Sequence, residues 1–571
     1  MSAAPTPGWD EAYDLVVIGA GTGGMAAAVT GAIEGLNVLL VEKTDRIGGS
    51  TAISGGAVWA PLNPQTAAVG HPDTLEKAWT YLQATVGDAA PAELQRAYLE
   101  AAGDMVAYFD QHTDVKLVAR AYSPDYYPDR EGAALGGRSL DPALFDGRLL
   151  GKKQFAELRD PLPEFMVLGG MMITMTDAKH LLAVTRSFKS WKEGMKLVLR
   201  FVGDRLSGYH RGTRLVLGNA LAARLFQSVL KQKIPYWLST PLTKIETADG
   251  QVTGVTLQRD GKAVRVQARR GVVIATGGFP WGDAMRTTHY PQPTGAWSMS
   301  PKDNRGEGIT LAQQAGATLG SGHASPAFWA PVSILTRADG SQTTDPHLVW
   351  DRAKPGLMAV NAAGKRFVNE ATSYHEFVLG MYRSNQTTPT LPAYLVCDHD
   401  FMERWGMGLA LPGGRARDHL VRDGYLVKAD SLRALATQLG IDADGLEESA
   451  ARFNRFAAAG VDSDFGKGST AYNRYLGDAD QQPNACLGQL AQGPFYAVRV
   501  YAGDIGTAVG IRCNADGQAL DAAGHAIRGL YMAGNDMHSV MGGQYPAPGI
   551  TLGPALTFGW LAGKHAAAAA P

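Results

Sequence analysis

The sequence has few cysteines, almost no net charge and no long apolar run. Its three cysteines, Cys397, Cys486 and Cys513, are scattered over 571 residues and form no Cys-x-x-Cys pair. That spacing argues against a disulfide framework and a structural zinc site, and it suits a reducing, cytoplasmic compartment. The 53 basic and 54 acidic side chains leave a net charge of −1, so nothing draws the chain to nucleic acid in general. No uninterrupted apolar stretch reaches about 18 residues, so no membrane-spanning helix is indicated. Residues 1–9 are short of charge and apolar side chains alike and do not read as a signal peptide. The histidines show no metal-ligand spacing, so no metal is expected, and no Gly-x-Ser-x-Gly supports serine hydrolysis.

What is present starts with Asp14-Leu-Val-Val-Ile-Gly-Ala-Gly-Thr-Gly-Gly, an alanine-rich run, and Val38-Leu-Leu-Val-Glu-Lys. This reads as a buried strand, a glycine turn, a helix and a second strand ending in an acid. Gly19, Gly21 and Gly24 fit Gly-x-Gly-x-x-Gly: a tight turn, close approach of backbone to a pyrophosphate, and close helix–strand packing. The helix N-terminus then offers free N–H groups to phosphate. Glu42, roughly 20 residues on, can hold a ribose hydroxyl. The Gly/Ser-rich stretch that follows contains Gly49, Ser50, Thr51, Ser54, Gly55 and Gly56, and it lets backbone approach a ligand.

At this length more than one domain is expected. A helical segment carries Leu94, Tyr98, Met105 and Phe109, and an aromatic loop, Tyr122-Ser-Pro-Asp-Tyr-Tyr-Pro, comes after it. Residues 161–215 combine apolar side chains with cations: nine Lys/Arg against Glu193 and Asp204 between Lys179 and Arg214. Leu182, Phe188, Met195 and Leu199 lie on a roughly helical period. The region reads as a helix packing its apolar side on the body, as a cover over a pocket, or as a basic amphipathic helix touching a membrane surface. Turn signals at Asp249-Gly and Asp260-Gly separate short strands. Gly271-Val-Val-Ile-Ala-Thr-Gly-Gly and Gly529-Leu-Tyr-Met-Ala-Gly-Asn-Asp are further strands meeting glycine turns. The nucleotide domain is therefore expected to be discontinuous, with a separate domain between its later pieces.

The fingerprint with Glu42-Lys43, the Ala275-Thr276-Gly277 strand end and the late Ala533-Gly534-Asn535 together resemble the FAD-containing branch of fumarate-reductase-like flavoproteins. A second dinucleotide unit is absent, which favours FAD over nicotinamide, and no local motif points to covalent flavin. Within that branch the chain, from about residue 13 to 563, resembles the 3-ketosteroid Δ1-dehydrogenases. The resemblance is carried by Pro124-Asp-Tyr-Tyr, by Lys365-Arg-Phe-Val-Asn-Glu-Ala-Thr-Ser-Tyr and by Tyr545-Pro-Ala-Pro-Gly-Ile-Thr-Leu-Gly, with Ala547 where a Gly is common. Ring-ketone desaturases such as cyclohexanone dehydrogenase share these motifs, and fumarate reductases place an arginine where this chain has Tyr374. Residues 161–215 are longer and more apolar than in typical members.

The resemblance implies an α/β fold, α+β overall, with a Rossmann-like FAD-binding domain and a second α+β substrate domain. Its pieces are expected at 10–137, 216–285 and 488–571, with an insertion at 138–215 and the substrate domain at 286–487. Non-covalent FAD would be bound by the residues named above together with Leu552. The implied reaction is α,β-desaturation of a hydrophobic cyclic ketone, most directly a 3-ketosteroid, with re-oxidation by a quinone or another non-nicotinamide acceptor. Tyr545 and the N–H of Gly549 would bind the ketone oxygen. Tyr374 would be the base, assisted by Tyr126, with Tyr127 lining the pocket or exchanging roles with it. Arg366 and Glu370 read as a structural ion pair, and His375 as a packed histidine. The expected location is cytoplasmic, with peripheral contact at the inner membrane face.

Overall fold

The computed structural model describes residues 8–569 apart from 183, 185 and 186. Residues 1–7, Arg186 of the basic stretch and residues 570–571 lie outside the described residues. Strand β1 (Glu11–Ile18), helix α1 (Thr22–Ile33) and strand β2 (Val38–Val41) form the expected parallel unit. Leu15–Ile18 and all of β2 are buried, as a parallel sheet covered on both faces requires.

The sheet is assembled from distant pieces. Tyr236–Trp237 pairs with β2, Lys262–Ile274 pairs in parallel with β1, and Ala526–Met532 pairs in parallel with the end of that long strand. The first half of Lys262–Ile274 instead joins Gln251–Arg259 and Leu242–Ala248 in antiparallel hairpins. Asp249 and Asp260 carry the positive φ values of the two turns, matching the Asp-Gly signals. Helix Leu552–Ala568 lies against α1 through small residues: a Cβ on Gly559 would come within 2.4 Å of the Gly23 carbonyl oxygen. The helix Ala92–His112 buries Leu94, Tyr98, Met105 and Phe109, as their spacing predicted.

The second sheet runs Gln342–Pro346, Ala327–Thr336, Phe495–Thr507, Ala393–Cys397, Leu357–Val360. Phe495–Thr507, which the sequence reading grouped with the last nucleotide-binding piece, pairs with Ala327–Thr336, Ala393–Cys397 and Leu426–Ala429 of this sheet. Its apolar run carries no mark of which sheet it enters. In the insertion, a small hairpin (Met166–Val167 with Met171–Met172) precedes helices Met175–Leu182 and Phe188–Leu206. The second helix is anchored by buried Asp204, which accepts from the N–H and hydroxyl of Thr213, each at 2.8 Å. Its apolar stripe is not packed on the body: Phe188 is 79%, Leu199 63% and Leu206 84% exposed.

The glycine turn offers a direct test of this packing. A Cβ on Gly24 would sit 1.8 Å from the Gly19 carbonyl oxygen, whereas one on Gly21 meets no protein atom within 4 Å. Gly24→Ala is expected to cost about 1–3 kcal/mol or more, because backbone must move. Gly21→Ala should stay within about 0.5 kcal/mol in the ligand-free protein. Thermal melts of the two ligand-free variants check this, and equal destabilisation would contradict it.

Candidate active site

The end of β1, the Gly/Ser stretch, the strand ends at 275–277 and 534–535 and the loop at 545–552 all open on one cavity. Its wall includes Gly19, Gly21, Glu42, Lys43, Gly49, Ser50, Thr51, Ser54, Gly55 and Gly56 from the first piece of chain. Ala275, Thr276, Gly277, Gly534, Asn535 and Leu552 join them from the later pieces. Gly24 is the one expected cofactor residue outside the wall, because it packs beneath Gly19. Glu42 is held in place: one carboxylate oxygen accepts from the Ala20 N–H at 3.0 Å, the other from the Thr44 N–H and hydroxyl. A Cβ on Gly21, Gly55 or Gly534 would project into open space. The cradle thus fits a dinucleotide lying against bare backbone, with Glu42 at one end and the tyrosines at the other.

Two residues that the sequence reading passed over brace this cradle. Asp536 accepts from the Thr276 hydroxyl at 3.0 Å and the Gly277 and Gly278 N–H groups at 2.9 and 3.3 Å, so it fastens one strand end to another. Burial pushes its carboxyl up to about 6. Asn304 donates to Ser50 Oγ and the Gly277 carbonyl. Asp536 is the last residue of the quoted Ala533-Gly-Asn-Asp motif, so its signal was in view although no role was assigned to it. Asn304 had none.

Tyr126, Tyr374, Tyr545 and Gly549 line the same cavity. The rings of Tyr126 and Tyr545 stack at 5.6 Å between centroids, and Tyr374 meets Tyr545 edge-on at 5.1 Å and Tyr126 at 5.8 Å. Tyr127 is not in the wall; its hydroxyl donates to Glu376 at 2.8 Å. Tyr126 is placed by its N–H, which donates to the Pro546 carbonyl, and by its neighbour Asp125, which accepts from Arg138 and the Trp59 indole. Gly549 has φ +98°, and a Cβ there would lie 2.5 Å from the Trp59 nitrogen, so only glycine fits. Tyr374 opens the helix Tyr374–Asn385, capped by Ser373, where the helix end favours negative charge.

Burial pushes the phenols of Tyr126 and Tyr374 well above the ordinary tyrosine value, and that of Tyr545 up to about 12. All three are neutral donors at rest, which suits a group that must bind a ketone oxygen and demands help for one that must act as base. His375 is no substitute base. Its Nδ1 accepts from the Trp329 N–H at 3.2 Å, so Nε2 carries the proton, and burial pushes its pKa down to about 3. Arg366 and Glu370 form the expected pair, two hydrogen bonds at 2.8 and 2.7 Å, extended to Asp462. Leu162 and Phe165, at the start of the 161–215 region, line the cavity, as do Pro346, Leu348 and Val349.

Buried His375 and His538, the latter pushed down to about 4, are both neutral in the fold. Their folded pKa values lie below the unfolded value of about 6.5, so stability is full above that pH and is lost as pH falls. Each costs about 1.4 kcal/mol per unit below it, until its folded pKa is reached. His375→Gln should flatten the decline between pH 6.5 and 4 in denaturant unfolding, and an unchanged slope would contradict this assignment.

Residues 14–552 match the FAD binding domain family. A 3-oxosteroid 1-dehydrogenase of Mycolicibacterium smegmatis is 36% identical over 572 residues, 98% of each chain. A 4-oxocyclohex-2-ene-1-carboxylate 5-dehydrogenase of Sinomonas cyclohexanicum is 36% identical over 561 residues, covering 97% of this chain and 94% of that one. A crystal structure of 3-ketosteroid Δ1-dehydrogenase from Sterolibacterium denitrificans, in complex with 1,4-androstadiene-3,17-dione, superposes with a TM-score of 0.90 at 38% identity. That alignment covers 98% of this chain and 100% of the other. With the glycine cradle and the tyrosine cluster sharing one cavity, the chain belongs to the FAD-binding flavoprotein family that includes the 3-oxosteroid 1-dehydrogenases and ring-ketone dehydrogenases.

Proposed function

We propose that the chain is an FAD-dependent dehydrogenase that desaturates a cyclic ketone beside its carbonyl, most directly the 1,2-bond of a 3-ketosteroid. The observation that carries this reading is the meeting of Tyr126, Tyr374, Tyr545 and Gly549 in the cavity that the dinucleotide turn also lines. FAD, held non-covalently, would supply the hydride acceptor. Tyr545 O–H and Gly549 N–H would donate to the ketone oxygen and stabilise the enolate. Tyr374, with Tyr126 beside it, would take the α-proton. The largely apolar facing wall at Leu162, Phe165, Pro346 and Leu348 would exclude water and receive the hydrocarbon body of the substrate. A smaller ring ketone is the second reading, supported by the equal identity to the Sinomonas cyclohexanicum enzyme. Anaerobic bleaching of the flavin by androstenedione, compared with cyclohexanone, separates the two. The lack of a second dinucleotide unit supports a quinone or another non-nicotinamide acceptor.

Tyr545→Phe should lower flavin reduction by about 10²-fold or more, the usual cost of one oxyanion donor, with flavin content unchanged. Tyr374→Phe should slow both flavin reduction and α-proton exchange of bound ketone in deuterated water. Wild-type rates in either variant would remove the role assigned to it.

No helix among the described residues is long and apolar enough to cross a membrane. We also propose peripheral association with the inner face of a membrane, through the helix Phe188–Leu206. Its exposed Phe188, Trp191, Leu199, Val202 and Leu206 recur at helical spacing, flanked by exposed Lys189, Lys192 and Lys196. That is the pattern of an interfacial helix. Its three free cysteines agree with a reducing compartment. Co-sedimentation with anionic vesicles should weaken with salt and on changing the three lysines to Gln. Equal sedimentation with and without vesicles would leave the stripe to another partner.

A further inference from the structure

Arg352 is fully buried, 2% exposed, yet no carboxylate among the described residues lies within ion-pair distance of it. Buried Arg138, Arg286 and Arg366 each have such a partner. Arg352 donates to backbone carbonyls instead: Nε to His347 at 2.7 Å, Nη2 to Leu348 at 2.8 Å, and Nη1 to Glu370 at 2.8 Å and Thr372 at 3.1 Å. One guanidinium therefore ties the cavity wall at 346–349 to the turn that leads into Tyr374. The carbonyl between the last two, that of Ala371, accepts from Asn473 at 2.9 Å. Asn473 follows Tyr472, whose ring lies 4.6 Å from that of Tyr126.

The other charges around the phenols are already taken up. Arg120 forms two hydrogen bonds with Asp141, and Glu370 is bound by Arg366 with Lys467 at 3.8 Å. Asp351 lies 2.5 Å from His347, Asp125 is held by Arg138, and Glu376 pairs with Arg383 at 3.6 Å. His375 is neutral. The Arg352 guanidinium itself donates to backbone carbonyls; Asp351, whose Oδ1 accepts from the Arg352 N–H at 2.8 Å, and Glu370 help to hold its charge, and so do the phenols of Tyr472 and Tyr126.

We propose that Arg352 is a positioning residue of this site: it fixes the turn that aims Tyr374 and stands as the buried positive charge behind Tyr472 and Tyr126 when a phenol of the cluster becomes anionic. The proposal rests on the reading of Tyr374 as base. It answers the difficulty noted above, that burial alone keeps every phenol neutral. Burial raises the Tyr472 phenol, and Arg352 opposes that shift. Losing the charge should make the base harder to ionise, whereas losing only the fork to the 347–348 wall should act equally at every pH.

The test is stopped-flow flavin reduction by androstenedione as a function of pH in the holoenzyme. Arg352→Met should displace the pH–rate profile upward by about one unit or more, roughly tenfold in rate at pH 7, with KM within about threefold. Arg352→Lys, which keeps the charge and loses the fork, should keep the wild-type profile at a lower rate. Tyr472→Phe should displace the profile in the same direction, and Arg352→Met should add little to it in the double variant. A wild-type profile in Arg352→Met, or an equal loss at every pH in both Arg352 variants, would overturn the proposal. If Arg352→Met does not retain flavin, Tyr472→Phe decides: an unshifted profile overturns it. A Tyr374→Phe enzyme that reduces flavin at the wild-type rate would instead overturn the underlying reading.

Discussion

The carbonyls of Pro546, Pro548 and Gly549 accept hydrogen bonds from Tyr81, Ser139 and the Trp59 N–H, and the Pro546 oxygen also takes the N–H of Tyr126. Prolines cannot donate, so this loop is held through its acceptors. All four donors come from the first 140 residues, and the loop comes from the last 30. These bonds bring Tyr545 and Tyr126 face to face, close the wall around the dinucleotide turn and leave Gly549 pressed against Trp59. Without them Tyr545, Gly549 and the glycine cradle would belong to separate ends of the chain.

A second constraint follows from the first. Burying the phenols of Tyr126, Tyr374 and Tyr545 in one wall makes them good hydrogen-bond donors and poor bases at the same time. On the proposed roles, Tyr545 serves as the neutral donor, and Tyr374, at a helix N-terminus and beside two other phenols, is the one that needs help to ionise. The pocket's apolar lining strengthens each of these electrostatic effects by excluding water.

What the sequence made legible was local. The glycine turn, Glu42 and the Tyr545-Pro-Ala-Pro-Gly loop each stand out within a few residues, and all three open on the one cavity. The tyrosines were reached by resemblance, since an isolated tyrosine gives no sign of the wall it will enter. The rest was out of reach because it is non-local. Nothing in Phe495–Thr507 says which sheet it joins, nothing near Asn304 announces Ser50, and no pattern links Arg352 to the carbonyls of His347, Leu348, Glu370 and Thr372. The apolar period from Leu182 to Leu199 falls on two helices, Met175–Leu182 and Phe188–Leu206, and which way the second one's stripe faces depends on what lies beneath it.

The order in which the nucleotide sheet is completed has a consequence for biosynthesis. Strand β1 waits for Lys262–Ile274, that strand waits for Ala526–Met532, and α1 waits for Leu552–Ala568. On the ribosome, the βαβ unit emerges first and is finished last. Through most of synthesis its inner strands keep open edges and its helix an uncovered face of alanine and glycine, the kind of surface that invites mispairing. High contact order of this sort slows folding. The nascent chain therefore carries these open edges and this uncovered face until residues 526–568 have been made.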